Sequence, residues 1–296
     1  MKARDSYLHT DILGMRVDAV TIDESLQIIS QQIDRGTGAK SFVVIKPYVE
    51  FAMQSKANPT VEALLNRADL SVADGVSLQW AASYLYGKPA SKPTVLKLGR
   101  SLLGWIQRAN WREQILPEKF AGITHTLRLF DQAEQKAWRI GVIGGLNPPA
   151  VITKELLQRW PKLQLGGVWS GFNHVSRSMD FSAWQDDTAF SATIGQIKQQ
   201  KLDILCVGMG FPRQEMFMDA MRDQGLAKVL IGEGGSFDYQ EMGGAIRRAP
   251  VWMRKLGLEW LWRLLRQPSR ILRQLAIPRF ILAVHRQARQ NWSKKG

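Results

Sequence analysis

The 296 residues hold 45% hydrophobic side chains and one cysteine, Cys206, which gives a sizeable core and excludes a disulfide framework, a CxxC zinc site and a thioredoxin-like pair. The four histidines (His9, His125, His174, His285) show no HExxH or similar metal spacing, and the length suits one large α/β domain or two small ones. Net charge is +14 but uneven: residues 247–296 hold 13 of the 40 basic side chains and a single acid, Glu259, so that tail carries +12 and residues 1–246 only +2, an asymmetry that points to nucleic acid or an anionic membrane surface.

The first ten residues are polar and charged, with no apolar stretch of the kind a secretory signal needs, and no run approaches the roughly 18 apolar residues of a membrane span. A cytoplasmic protein is expected. From there the chain alternates short Val- and Ile-rich segments with stretches of helical spacing. Strands are expected at Ser41–Lys46, Asp69–Ala73, Arg139–Gly144, Leu163–Val168, Leu202–Val207 and Lys228–Ile231. Helices are expected at Ile22–Ile33, Pro59–Arg67, Ser77–Tyr86, Pro148–Trp160, Phe190–Gln200 and Pro212–Gln224. That rhythm implies an α/β fold: a Rossmann-like, mostly parallel sheet with helices on both faces and ligands beyond the carboxyl ends of the strands. Residues 88–116 break the rhythm with Pro89, Pro93 and a helical piece, Val95–Asn110, and read as an insertion lying over the site or the membrane, or as a mere helical excursion.

Several strand ends carry residues suited to chemistry. Asp74 in Ala73-Asp74-Gly75 presents a carboxylate between a strand and a helix, as a general base or simply as a turn residue. Gly144-Gly145-Leu146-Asn147 leads into a helix beginning near Pro148, and its amides offer a phosphate cradle or a tight turn. The spacing is not GxGxxG, which removes a nicotinamide reading. Gly208-Met209-Gly210-Phe211-Pro212-Arg213 continues into Gln214 and Glu215, where Gln214 offers hydrogen bonds to sugar hydroxyls or phosphate. Gly232-Glu233-Gly234-Gly235 makes a third glycine-rich loop, and three such loops on one sheet edge suit a nucleotide-sized ligand.

In the tail, Pro250, Pro268 and Pro278 mark helix starts. Arg263, Arg266, Arg270 and Arg273 share one helical face, with Leu261, Leu264, Leu265, Ile271, Leu272 and Leu275 over much of the rest. Such a helix suits a membrane interface better than a phosphate groove, although a surface helix docked by its Leu face has the same pattern. Residues 1–246 are therefore expected as the core and 247–296 as a cationic amphipathic helical appendage. Its apolar face offers a route to a homo-oligomer.

The blocks LNRADLSVADGVSLQWA, CVGMGFPRQE and IGEGGSFDY…GGAIRRAPVWMRKLGLEWLWRLLRQPSR resemble the WecG/TagA/CpsF glycosyltransferases, glycosyltransferase family 26, from about Met15 to Arg273. The resemblance implies an inverting, metal-independent enzyme without cofactor. It would move a sugar from a UDP-sugar to a polyprenyl-diphosphate-linked acceptor in bacterial cell-surface polysaccharide synthesis, peripherally on the cytoplasmic membrane face. It implies Asp74 as base, Gln214 at the substrate, and Arg263, Arg270 and Arg273 on the diphosphate, with Arg266 and Arg248 as neighbours. The sequence contains no DxD, and arginine forks match phosphate geometry in a metal's place. Where many members read T-x-N-x-(D/E), this chain reads Lys46-Pro47-Tyr48-Val49-Glu50. Lys46 offers a contact to phosphate or a sugar carboxylate, and Tyr48 a ring to stack on. Those two departures also motivate a non-catalytic family member as an alternative, and the basic tail a nucleic-acid binder.

Overall fold

A computed structural model describes residues 8–36, 40–87, 92–106, 115–117, 122–172, 184, 187–255, 259–266 and 275–294. Its centre is a six-stranded parallel sheet. In chain order the strands are β3 (Phe42–Ile45), β4 (Leu70–Ser71), β5 (Arg139–Gly144), β6 (Gln164–Trp169), β7 (Leu202–Gly208) and β8 (Ala227–Gly232), and in space they run β4-β3-β8-β7-β5-β6. Before them comes a feature that the residue pattern does not announce, an antiparallel hairpin of β1 (His9–Ile12) and β2 (Met15–Asp18).

Alternate residues of the strands feed two apolar layers. Ile204 and Cys206 of β7, with Val229 and Ile231 of β8, face one layer; Leu205, Val207 and Leu230 face the other. All are buried, as in parallel sheets covered on both sides. The first layer is covered by α1 (Ile22–Arg35), α6 (Gly122–Gln135) and α7 (Pro149–Arg159). Thr21 begins α1 with a reciprocal cap: its hydroxyl accepts from Glu24 N at 3.1 Å, and Glu24 Oε2 accepts from Thr21 N at 2.7 Å. The opposite layer takes residues of the hairpin, α2 (Val49–Ala57), α3 (Pro59–Asn66), α4 (Val76–Tyr86), α8 (Thr188–Gln199) and α9 (Arg213–Ala220). Neither α2 nor α6 is among the expected helices.

The end of the chain joins this core. After α10 (Val251–Lys255) and α11 (Glu259–Arg266), α12 (Ala276–Ser293) packs on α2 and α4 with Phe280, Ala283, Val284 and Ala288 buried. Polar contacts fix it as well. Tyr84 Oη lies 2.7 Å from His285 Nδ1, and Gln287 accepts from Leu13 N at 3.0 Å while donating to Asp11 Oδ1 at 2.8 Å. The inserted helix is α5 (Val95–Ile106), and Ser101 Oγ accepts from Trp80 Nε1 at 3.0 Å. The rest of the expected Val95–Asn110 helix lies outside the described residues. No helix among the described residues is long and apolar enough to cross a membrane.

Candidate active site

The carboxyl ends of five of the six strands converge on one cavity of about 630 Å³. Parallel sheets bind ligands at that edge, and the volume lies in the usual range of small-molecule sites. Its lining is mixed: Lys46, Glu50, Asp74, Arg213, Gln214, Glu233 and Asp238 are polar, whereas Trp80 of α4, Leu102 of α5, and Ile277, Phe280 and Ile281 of α12 are among its apolar members. The lining therefore draws on residues as far apart in the chain as Lys46, after β3, and Ile281 of α12.

Asp74 is held from two sides. Its backbone N–H donates to Pro47 O at 2.7 Å, and its Oδ1 accepts from Gly122 N, the first residue of α6, at 2.9 Å. A helix N-terminus is a favourable place for a carboxylate. Glycine at 122 eases this approach, because a Cβ there would stand 3.0 Å from Asp74 Oδ2 and push the carboxylate away. Gly75, at φ +91°, then turns the chain into α4.

The glycine loops form the floor. Gly144, at φ +103°, lies against the end of β7: an added Cβ would sit 2.4 Å from Gly208 O, the same carbonyl that accepts from Gly145 N at 3.0 Å. Gly145, Gly208 and Gly210 line the cavity, Gly210 at φ +72° ahead of a cis Phe211–Pro212 bond. Gln214 is buried, and its amide is fully oriented. Its Oε1 accepts from Gly234 N at 2.9 Å, and its Nε2 donates to Glu215 Oε1 at 2.7 Å. It therefore joins the start of α9 to the loop after β8 as well as lining the cavity. Glu215 lies behind it, outside the lining. Burial pushes its carboxyl up to about 8, against the opposing pull of the Gln214 hydrogen bond, and its buried Oε2 has no hydrogen-bond partner among the described residues. A neutral carboxylic acid at pH 7 fits both facts.

Lys46 and Tyr48 follow β3. Lys46 is buried, and its Nζ donates to Glu233 Oε2 at 2.7 Å and to Thr126 Oγ1 at 3.2 Å. Its ammonium is thus already paired inside the protein while lining the cavity. Tyr48 donates to Glu50 Oε2 at 3.1 Å, and its ring stands edge-on to Phe51, itself stacked on Phe211 at 4.0 Å. Glu233, Arg213, Asp238 and Trp80 are lining residues to which the sequence alone assigns no role. The signal for Glu233 is present there: like Lys46, it is a lone charge ending an apolar strand.

Other expected contacts lie outside the lining. Asn147 Nδ2 donates to Gly243 O and braces the loop behind the cavity. Arg248 Nη2 donates to Thr124 Oγ1 at 3.1 Å, which places it beside the α6 terminus that holds Asp74. Arg266 is exposed, its guanidinium over the Trp262 ring at 4.8 Å. Arg263 sits on α11, and Arg270 and Arg273 lie outside the described residues. Among the described residues, no group of three or more His, Cys, Asp or Glu is placed to hold a metal ion.

The WecG/TagA/CpsF glycosyl transferase family model matches residues 10–116 and 103–294. The chain belongs to that family. The two matched stretches overlap at 103–116, within the expected insertion. N-Acetylglucosaminyldiphosphoundecaprenol N-acetyl-β-D-mannosaminyltransferase of Bacillus spizizenii is 28% identical over 253 residues, covering 85% of this chain and 80% of that protein. The Staphylococcus aureus (strain MRSA252) protein of the same name is 26% identical over 290 residues, 98% of this chain and 97% of its own. A Bacillus subtilis protein so named is 30% identical over 184 residues, 62% of this chain and 65% of its own. The WecG/TagA/CpsF membership makes this α/β protein a glycosyltransferase.

Proposed function

We propose that the protein is an inverting, metal-independent transferase that moves a hexose-type sugar from a UDP-sugar to a polyprenyl-diphosphate-linked acceptor. The observation that carries the reading is a cavity at the carboxyl edge of the sheet whose lining combines polar residues, Asp74 and Arg213 among them, with apolar side chains from α4, α5 and α12. A nucleotide sugar and a lipid-linked glycan need both kinds of lining. The relatives' names supply the chemical class: N-acetylmannosamine passed to N-acetylglucosaminyldiphosphoundecaprenol.

In the reaction, Asp74 takes the proton of the acceptor hydroxyl as that oxygen attacks the anomeric carbon. The bond from that carbon to the UDP oxygen breaks on the opposite face, and the electron pair leaves with UDP. The departing charge needs fixed donors. Arg213 at the cavity and the loop amides are close to hand, and Arg248, Arg263, Arg266, Arg270 and Arg273 are the tail's contribution. Metal independence is argued from the sequence, which contains no DxD and supplies arginine forks in a metal's place. Membrane association draws support from the +12 tail and from exposed Val251, Trp252 and Leu265.

The test is a transfer assay with purified protein, UDP-N-acetylmannosamine and a synthetic N-acetylglucosaminyl-diphospho-polyprenol in detergent, with and without EDTA. Product and equimolar UDP in both conditions are expected. Activity restored only by added divalent cation would remove the metal-independent mechanism, and no product with any UDP-sugar would remove the reading.

A further inference from the structure

We infer that the Lys46–Glu233 couple at the cavity floor binds the exocyclic 6-hydroxyl of the transferred sugar, and that it thereby selects a neutral pyranose over a hexuronate, in which that hydroxyl is replaced by a carboxylate. The inference rests on the donor-site reading above and deepens it. Lys46 and Glu233 lie two residues beyond the paired Val44 and Ile231, at the ends of the adjacent parallel strands β3 and β8. Both strands end at the carboxyl edge of the sheet, where parallel sheets bind their ligands. Both side chains line the cavity, and they are 6% and 4% exposed.

The hydrogen bonds around the couple are lopsided. Glu233 Oε2 takes the Lys46 ammonium and the Thr126 hydroxyl, whose oxygen in turn lies 3.1 Å from Ser236 Oγ and 2.9 Å from Gly122 O. The other oxygen, Oε1, is equally buried and has no hydrogen-bond partner among the described residues. A buried carboxylate oxygen left so is expensive unless something donates to it. Of the ammonium's three protons, two are engaged by Glu233 and Thr126. A sugar hydroxyl is the group that satisfies both neighbours at once, giving its proton to Glu233 Oε1 and accepting from Lys46 Nζ. A hexuronate carboxylate has no proton to give at neutral pH. It would meet a negative oxygen, and the Lys46 cation beside it is already neutralised.

The experiment is calorimetric titration of the full-length protein with UDP, UDP-glucose, UDP-N-acetylmannosamine and UDP-glucuronic acid, repeated on Glu233→Gln. The wild type is expected to bind the neutral sugar nucleotides at least tenfold more tightly than UDP-glucuronic acid, about the value of one charge-assisted hydrogen bond. In Glu233→Gln that preference should shrink to within about threefold, with affinity for UDP alone unchanged. Because the single change leaves Lys46 buried without its partner, Lys46→Met/Glu233→Gln is measured alongside and should lose the preference too. Preference retained in whichever variants melt cooperatively would overturn the inference. So would an equal loss for UDP alone, which would assign the hydroxyl to the ribose. A wild type that binds no UDP would overturn the donor-site reading, whereas one that binds UDP and all three sugar nucleotides alike would overturn only the sugar selection.

Discussion

Replacing Phe280 by alanine asks whether α12 is a wall of the site or an addition to it. The residue is fully buried, its ring stands edge-on to Trp80 with centroids 6.3 Å apart, and it belongs to the cavity's lining. Phe-to-Ala changes in cores cost about 3–5 kcal/mol through lost transfer energy and the void left behind. A loss of about 3 kcal/mol, the low end of that range, is the least expected here. Against a total stability of about 5–15 kcal/mol, the variant folds but melts earlier, by roughly 6–12 °C at 2–4 °C per kcal/mol. Urea denaturation followed by tryptophan fluorescence measures the loss directly, and an unchanged m-value shows that the denatured state has stayed the same. The same variant should raise KM for the lipid-linked acceptor and leave UDP affinity alone. A stability loss under about 1 kcal/mol would mean that α12 is not seated on the body, and the acceptor-wall argument would fall with it.

Four further outcomes are expected. Asp74→Asn keeps an oxygen for the Gly122 N–H, so it should melt like the wild type while kcat falls by about 10²–10⁴-fold; near-normal turnover would take Asp74 out of the mechanism. Gly144→Ala forces a Cβ to within 2.4 Å of Gly208 O at φ +103°, and should weaken UDP binding and lower the melting temperature together. His125 is fully buried, and burial, aided by Lys46 and Arg128, holds its pKa well below 6.5; the unfolded chain therefore takes up the proton first. Stability should fall as pH drops below 6.5, and His125→Gln should flatten that limb of the profile. For Glu215, whose pKa is raised to about 8 from 4.5, the sign is opposite: stability relative to Glu215→Gln should decline as pH rises from about 4.5 to 8 and level off beyond, and a flat difference would refute a protonated Glu215.

The legibility of each part in the sequence depends on how the residues encode it. Strands such as LDILCV and KVLI are continuous apolar runs ended by glycine or charge, a pattern that a sheet buried on both faces writes plainly. The hairpin is different. His9–Ile12 alternates exposed and buried residues over only four positions, too few to stand out beside polar neighbours. Helix α6 buries His125 and Thr126 among its inward residues, which breaks the apolar spacing that would have announced it. Helix α2 packs through Phe51, Ala52 and Ser55, a small face with little contrast. The candidate site was legible as three glycine loops and Asp74, because backbone geometry demands glycine and a strand end exposes the residues just beyond it. The Lys46–Glu233 couple was not legible, since its members lie 187 residues apart and only the β3–β8 pairing joins them. The seating of α12 was hidden for a similar reason: its charge pattern describes the exposed face, whereas Phe280, Ala283 and Val284 describe the buried one.

The central claim is that the cavity at the carboxyl edge of the sheet receives the UDP-sugar. Hydrogen exchange measured by mass spectrometry, with and without saturating UDP, tests it most directly. Protection concentrated in 144–147, 208–214 and 232–238, with lesser effects near Asp74, is what the account predicts. UDP that binds but protects a different surface, such as the groove between α1 and α6, would contradict it.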